Sequence, residues 1–125
     1  MIYLDNSATT RPNEACVAAM NELLTECWFN PSSVYRPGMD AAHRLKTARA
    51  QVAQALGAET ERVFFTSGGS ESNTWAIRGT VPQGGHVVTT PIEHHSVLNA
   101  CASIRDDGGR MTTLEVDGFG RVVPE

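Results

Sequence analysis

A glycine- and serine-rich stretch, TSGGSES at residues 66–72, carries the groups that bind an anion. A short β-branched and aromatic run at 63–65 precedes it, and NTWAIRG at 73–79, which is typical of a helix, follows it. The first N–H groups of a helix have no partners within the helix, and glycines let a ligand approach the backbone closely. The pattern therefore predicts an anion cradle, most often for a phosphate, where a strand leads into a helix. The alternative is a plain helix cap by Ser67 or Ser70.

The signatures of the common nucleotide and hydrolase sites are missing from this stretch. No Gly-Lys-Ser/Thr follows the glycines, and the spacing is not G-x-G-x-x-G. A nucleotide-binding α/β domain is therefore a weak alternative. G-x-S-x-G is also lacking, which disfavours a hydrolase nucleophile.

A pair of histidines, His94 and His95, follows the next predicted strand, HVVTT. Adjacent side chains of an extended backbone point to opposite sides, so the two imidazoles cannot easily ligate one metal, and we predict no metal site. One ring can face the same edge of the sheet as the cradle. There it could lie against a planar ring held by the cradle, or act as an acid or base. The alternative is an ordinary polar histidine.

The order of elements predicts the fold class. From Arg62 onward, strands alternate with helices, which predicts an α/β fold with a parallel sheet covered by helices. The sequence ends on Pro124-Glu125, a typical first turn of another helix, so we expect an N-terminal piece of a longer protein. The patterns predict helices at 13–26, 39–57, 70–79 and 96–107, strands at 62–66, 86–90 and 111–116, a loop at 29–38 and an extended arm at 1–12.

Composition limits the other function classes. The chain has 125 residues, of which 41% are apolar and 19% charged, as in an ordinary globular domain. A net charge of -4 without a basic stripe disfavours nucleic-acid binding. We expect no membrane span and no secretory signal, and hence a cytoplasmic protein. The three cysteines, Cys16, Cys27 and Cys101, are expected to be small buried hydrophobic residues.

Five segments together resemble the beginning of cysteine desulfurases. These are NifS/IscS-like pyridoxal-phosphate enzymes of the class V aminotransferase group, which supply sulfur for iron–sulfur clusters. The segments are YLDNSATT, NPSS, VFFTSGGSESN, EHHSVLNAC and LEVDGFGRVVPE, in the order and approximate spacing of that family. The resemblance covers essentially all 125 residues. It implies the large domain of a fold-type-I transferase, three-layered with a mostly parallel sheet, of which 1–125 is the N-terminal portion and the remainder is absent.

The resemblance implies a role for each matching residue. Gly69 and Ser70 would bind the phosphate of pyridoxal 5'-phosphate through backbone N–H and hydroxyl groups. His94 would stack on the pyridine ring and serve as the catalytic residue that assists proton transfer. Residues 6–10 would form an arm near the substrate entrance, and residues 30–33 a loop bordering the cleft. The substrate would be L-cysteine, converted to L-alanine with a persulfide left on a cysteine thiolate. The full-length enzyme would be a homodimer that serves an iron–sulfur scaffold or another sulfur acceptor.

The sequence departs from the family pattern in three places. Phe29 stands where a glycine is common, and Tyr35 stands where a histidine is common. Both changes bear on the loop at 30–33 and on substrate preference. The pair Gly69-Ser70 replaces a more usual Ala-Thr or Gly-Thr, which keeps the phosphate-binding hydroxyl.

The implied chemistry needs a Schiff-base lysine, and the 125 residues contain one lysine, Lys46. Lys46 lies roughly 130° from the centre of the apolar face of its helix, so we predict that it lies in solvent. In the family, the lysine, the pyridine-nitrogen aspartate and the persulfide cysteine come from downstream sequence. That apolar face is formed by Ala41, Leu45, Ala48, Val52 and Leu56.

We therefore expect a cysteine desulfurase as the parent protein and no cysteine turnover by the 125 residues alone. We also expect these residues to be marginally stable and prone to associate, because three parallel strands leave an open edge. Within the same fold, the alternatives are a selenocysteine lyase, another class V aminotransferase or a sulfinate-releasing relative. A different alternative is a non-catalytic remnant or partner module that keeps the cradle and is stabilised by phosphate without chemistry.

Overall fold

The computed structural model describes residues 2–123, and it divides the chain into two compact units, the first ending at Phe64 and the second beginning at Phe65. The helix start predicted at Pro124-Glu125 lies outside the described residues. Within residues 2–123, no helix is both long and apolar enough to cross a membrane.

The first unit is helical. It contains α1 (Glu14–Glu26), α2 (Arg36–Leu56) and a short 3-10 turn (Thr60–Arg62). Helix α1 begins after Asn13, whose side chain accepts the N–H of Cys16 at 2.8 Å. Gly57 caps the end of helix α2, where it adopts a left-handed φ of 64° and donates its N–H to the carbonyl of Ala53. Both predicted helices are therefore confirmed.

Helix α2 begins earlier than predicted, so the loop predicted at 29–38 is too long. Pro37 lies in the first turn of the helix, where its missing N–H costs nothing. Gly38 is buried, and a Cβ there would lie 2.7 Å from the Ser33 Cβ and 2.8 Å from the carbonyl oxygen of Asn30. The Pro-Gly pair resembles a turn in sequence, but here it packs the first turn of α2 against residues 30–33.

Small residues, not large ones, make the buried contacts of α2. Gly38, Ala41 and Ala53 are buried, whereas the other four members of the predicted apolar face, Leu45, Ala48, Val52 and Leu56, are exposed. Lys46 is exposed, as predicted. The prediction for the cysteines holds only for Cys101, because Cys16 is exposed and Cys27 is partly exposed.

The second unit is an α/β unit. It contains α3 (Gly69–Thr80), β1 (His86–Thr89), α4 (His95–Asp106) and β2 (Arg110–Thr113). The two strands pair in parallel, from His86 opposite Arg110 to Thr89 opposite Thr113, and α4 connects them. The core under α4 consists of Ala100, Cys101 and Ile104, with Thr89 buried on β1. The predicted alternation of helices with parallel strands is confirmed.

The strand predicted at 62–66 is wrong for the described residues. Val63 has extended dihedrals (φ −97°, ψ 123°) and is buried, but the segment joins no sheet. A strand exists only when a neighbouring chain pairs with it in register, and the residue pattern of one segment carries no information about that neighbour. The third predicted strand is also shorter than expected, since β2 ends at Thr113; Val116 instead forms an isolated antiparallel bridge with Val122.

Two glycines set the distance between the beginnings of β1 and β2. The N–H of Arg110 donates to the carbonyl of Gly85 at 2.8 Å. A Cβ on Gly109 would lie 2.9 Å from that same carbonyl oxygen and 2.7 Å from Cγ2 of Ile104. The strands therefore begin with no room for a side chain between them.

Helices α3 and α4 are joined by side-chain hydrogen bonds at both ends. Near their beginnings, Asn73 Nδ2 donates to Ser96 Oγ at 2.9 Å. Near their ends, Arg78 donates to Ser103 Oγ at 2.7 Å and pairs with Asp107 Oδ2 at 2.6 Å. The N-terminal ends of the two helices are joined to each other, and so are their C-terminal ends. The helices therefore run in the same direction and start on the same side of the unit.

Candidate functional site

The beginning of α3 is an open helix N-terminus. Gly68 precedes the helix in a fully extended conformation (φ 166°, ψ 179°), and no side chain caps the helix at this residue. The alternative prediction, a helix cap by Ser67 or Ser70, is therefore wrong. A Cβ placed on Gly68 or Gly69 would meet no heavy atom within 4 Å. The start of α3 therefore lacks a side-chain cap at this residue, which leaves its first N–H groups for an anion cradle.

The loop at 66–72 is fastened by its own side chains. Glu71 Oε2 accepts both the N–H of Ser67 at 2.6 Å and its hydroxyl at 2.7 Å. The Thr66 hydroxyl lies 2.7 Å from the Ser72 hydroxyl and also contacts the Gly68 carbonyl oxygen at 3.2 Å. The Ser67 backbone N–H, and then its hydroxyl, lower the pKa of the Glu71 carboxyl, because both hydrogen bonds favour its charged form.

Replacing Glu71 by glutamine is expected to lower stability only where the carboxylate is ionised. A pKa that is lower in the folded state stabilises above the ordinary value of 4.5, and that contribution is lost as the pH falls through the folded value. Urea unfolding of wild type and Glu71→Gln from about pH 3 to about pH 7 should therefore show a difference in the free energy of unfolding that disappears at the acid end. Glu61→Gln, at an exposed position, is the matched control. A difference in unfolding free energy that stays constant with pH would contradict the lowered pKa of Glu71.

His94 is the N-cap of α4. Its Nδ1 accepts the backbone N–H of Ser96 at 3.1 Å and lies 2.8 Å from the Ser96 hydroxyl. The neighbouring His95 is the first residue of the helix, and the two ring centroids are 6.4 Å apart with planes inclined at 55°. Both imidazoles are exposed, so the ring of His94 is accessible to a ligand.

The cradle and the imidazole occur at the same end of the second unit. Gly69 and Ser70 form the start of α3, and His94 caps the start of α4. The hydrogen bond from Asn73 to Ser96 holds these two helix starts side by side. The structure thus brings together the three residues that the sequence singled out, and their individual roles remain predictions.

The other segments named from the sequence lie in the first unit. Residues 6–8 form a turn, in which Ala8 N–H donates to the Asp5 carbonyl at 3.1 Å, so the predicted arm is not extended throughout. The loop at 30–33 is a tight turn, because Asn30 Oδ1 accepts the N–H of Ser32 at 2.9 Å.

The two residues that depart from the family pattern near this loop contact each other. The rings of Phe29 and Tyr35 meet edge to face, with centroids 6.4 Å apart. Phe29 also stacks on Trp28 at 4.5 Å. The two departures therefore belong to one aromatic cluster.

Sequence reasoning missed Asn73, Ser96 and the Glu71–Ser67 clamp. A serine two residues after a histidine and a glutamate four residues after a serine are the available signals. Both spacings allow side-chain to backbone hydrogen bonds near a helix start. The link from Asn73 to Ser96 spans 23 residues, and no local pattern reveals it.

A model of the aminotransferase class-V family matches residues 2–125. The chain belongs to this family. Among its relatives, the cysteine desulfurase IscS of Methanosarcina thermophila is 44% identical over 128 residues, covering 99% of this chain and 32% of the relative. Cysteine desulfurase 2 of Trichormus variabilis is 40% identical over 125 residues, covering 98% of this chain and 31% of the relative. The chain thus spans about a third of the length of the curated relatives it matches.

Solved structures confirm the predicted fold of this class-V chain. A NifS-like protein superposes with a TM-score of 0.82 at 31% identity, over 94% of this chain and 33% of that one. The apo cysteine desulfurase from Thermococcus onnurineus NA1 superposes with a TM-score of 0.81 at 32% identity, over 97% of this chain and 32% of that one. The chain therefore has the α/β architecture of the NifS-like enzymes, with a parallel sheet and covering helices.

Proposed function

We propose that this chain is the part of a pyridoxal-phosphate-dependent cysteine desulfurase that binds the cofactor phosphate and faces its ring. The observation that carries the proposal is the side-by-side start of α3 and α4, which puts an uncapped helix N-terminus next to an accessible imidazole. One ligand with a phosphate group and a flat ring could engage both. The assignment of 1–125 to one domain of such an enzyme remains a prediction.

The residues present fit the cofactor. The N–H groups of Gly69 and Ser70, with the Ser70 hydroxyl, would hold the phosphate, since no side chain caps the helix at Gly68. The imidazole of His94 would lie on the pyridine ring and exchange protons with the substrate. When bound, pyridoxal phosphate supplies the electron-withdrawing ring on which amino acids react.

We infer L-cysteine as the substrate of the whole enzyme, with L-alanine and an enzyme persulfide as products. The relatives are named cysteine desulfurases, and a solved neighbour, SspA in complex with cysteine, superposes with a TM-score of 0.81 at 33% identity. A homodimer in the cytoplasm that passes sulfur to an iron–sulfur scaffold or another acceptor protein completes the proposal.

The 125 residues alone are expected to release no alanine from L-cysteine. A catalytic lysine is activated by a desolvated pocket or by a neighbouring cation, whereas the side chain of Lys46 is exposed on α2. Replacing Lys46 by arginine should accordingly leave the binding of pyridoxal phosphate unchanged.

A ligand series tests the proposal by thermal melting of the chain. Pyridoxal phosphate should raise the melting temperature of wild type and Lys46→Arg equally, since a ligand of the folded state stabilises it. Pyridoxal, which lacks the phosphate, should have little effect. His94→Ala should reduce the gain from pyridoxal phosphate and leave the gain from inorganic phosphate unchanged.

Two outcomes would count against this function. Equal stabilisation by inorganic phosphate and by pyridoxal phosphate would favour a simple phosphate-binding module. Loss of the pyridoxal-phosphate effect in Lys46→Arg would mean that the aldehyde reacts with that exposed amine and not at the cradle.

A further inference from the structure

The protonation of the His94 ring follows from its neighbours. The backbone N–H of Ser96, 3.1 Å from Nδ1, can only donate a hydrogen bond. Nδ1 must therefore be the acceptor, and it carries no proton. In the neutral ring the proton then lies on Nε2.

The side chains of Ser96 and Asn73 support the same state. Asn73 Nδ2 donates to Ser96 Oγ at 2.9 Å, and Ser96 Oγ lies 2.8 Å from Nδ1. Because Nδ1 has no proton, the hydroxyl must donate to it. The hydrogen bonds thus run in one direction, from Asn73 through Ser96 to His94. Ser96 and Asn73 are both partly buried, whereas the ring is exposed.

We infer that Ser96 and Asn73 are positioning residues that hold His94 in its Nε2–H tautomer. The polar group that the ring offers to a ligand is then an N–H donor, and not a lone pair. Such a group suits a hydrogen-bond acceptor on the bound molecule, such as a carboxylate, a thiolate or a phenolate oxygen. This use toward a ligand rests on the proposed function, whereas the tautomer is a property of the chain itself.

The orientation of the ring is fixed by the same contacts. Two donors, one from the backbone and one from a side chain, converge on a single nitrogen and restrict rotation of the imidazole. Since Asn73 belongs to α3 and Ser96 to α4, the ring is oriented relative to the helix whose start forms the cradle. Asn73 and Ser96 therefore both help to set the orientation of the His94 ring.

Nitrogen NMR of the chain labelled with 15N-histidine tests the inference. Long-range 1H–15N correlations distinguish the two tautomers at about pH 8, where an ordinary imidazole is neutral. The chain has four histidines, and the His94→Gln variant identifies the signals of His94. We expect the Nε2–H pattern in wild type. An Nδ1–H pattern would overturn the inference, whatever the variants show.

Variants then test the two positioning residues. Ser96→Ala should lower the ratio of Nε2–H to Nδ1–H ring roughly threefold to tenfold, the effect of one ordinary hydrogen bond, and Asn73→Ala should lower it less. Ser96→Thr keeps the hydroxyl and should restore the wild-type ratio. A ratio unchanged in both alanine variants would overturn the positioning role. Pyridoxal-phosphate titration of the same samples reports separately on the proposed function, since the tautomer is measured without ligand.

Discussion

Replacing Gly69 by proline is expected to weaken the binding of pyridoxal phosphate by more than about tenfold. Gly69 is the first residue of α3, where the fixed φ of proline is compatible with the helix and the substitution removes only one N–H. A hydrogen bond to a charged group contributes about 1.5–3 kcal/mol, and about 1.4 kcal/mol corresponds to a factor of ten. Fluorescence or calorimetric titration of the variant measures the loss.

Gly69→Ala is the matched control for this experiment. Alanine keeps the N–H, and its Cβ would enter space with no heavy atom within 4 Å, so binding should stay near that of wild type. Pyridoxal without the phosphate should bind all three proteins alike. Equal affinity of the proline and alanine variants for pyridoxal phosphate would show that the N–H of Gly69 does not hold the phosphate.

Replacing Gly109 by alanine is expected to destabilise the second unit by about 1–3 kcal/mol, the usual range for overpacking a tight site. The new Cβ would lie 2.9 Å from two backbone oxygens, those of Gly85 and Ile104, and 2.7 Å from the Ile104 Cγ2. Backbone oxygens cannot rotate away as a flexible side chain can, so the parallel pairing of β1 and β2 must widen. Urea unfolding followed by circular dichroism measures the change.

Gly118→Ala controls for the general effect of the substitution. Gly118 lies in the turn between Val116 and Val122, and a Cβ there meets no heavy atom within 4 Å. Its stability should match wild type or exceed it slightly, because alanine restricts the unfolded chain more than glycine does. If both variants lost the same stability, the close approach at Gly109 would not be the cause.

Helices were predictable from the sequence because their signals are local. Asn13 and Gly57 flank helices α1 and α2, and each makes a hydrogen bond with a residue three or four positions away. The strands were harder, since pairing depends on distant residues: the pattern around Val63 is that of a strand, yet it forms none here. The predicted start of α2 was wrong for another reason: Pro37 is typical both of a loop turn and of the first turn of a helix.

The same distinction applies to the candidate site. Gly69, Ser70 and His94 stood out because glycine, hydroxyl and imidazole groups follow segments expected to be strands. Their proximity depended on the topology, which the strand–helix alternation indicated. Asn73 and Ser96 could not be found this way, because the direction of a hydrogen bond between two helices depends on atomic positions.

The hydrogen bond of Asn73 to Ser96 and the ion pair of Arg78 with Asp107 hold α3 and α4 together near both of their ends. Two parallel helices joined near both ends resist sliding past each other, so the interval between the α3 start and the His94 ring should change little when a ligand binds. A phosphorylated aromatic compound whose tether is one bond longer or shorter would leave either its ring or its anionic group misplaced. The site would thus select ligands by the distance between their ring and their anionic group, before any reaction takes place.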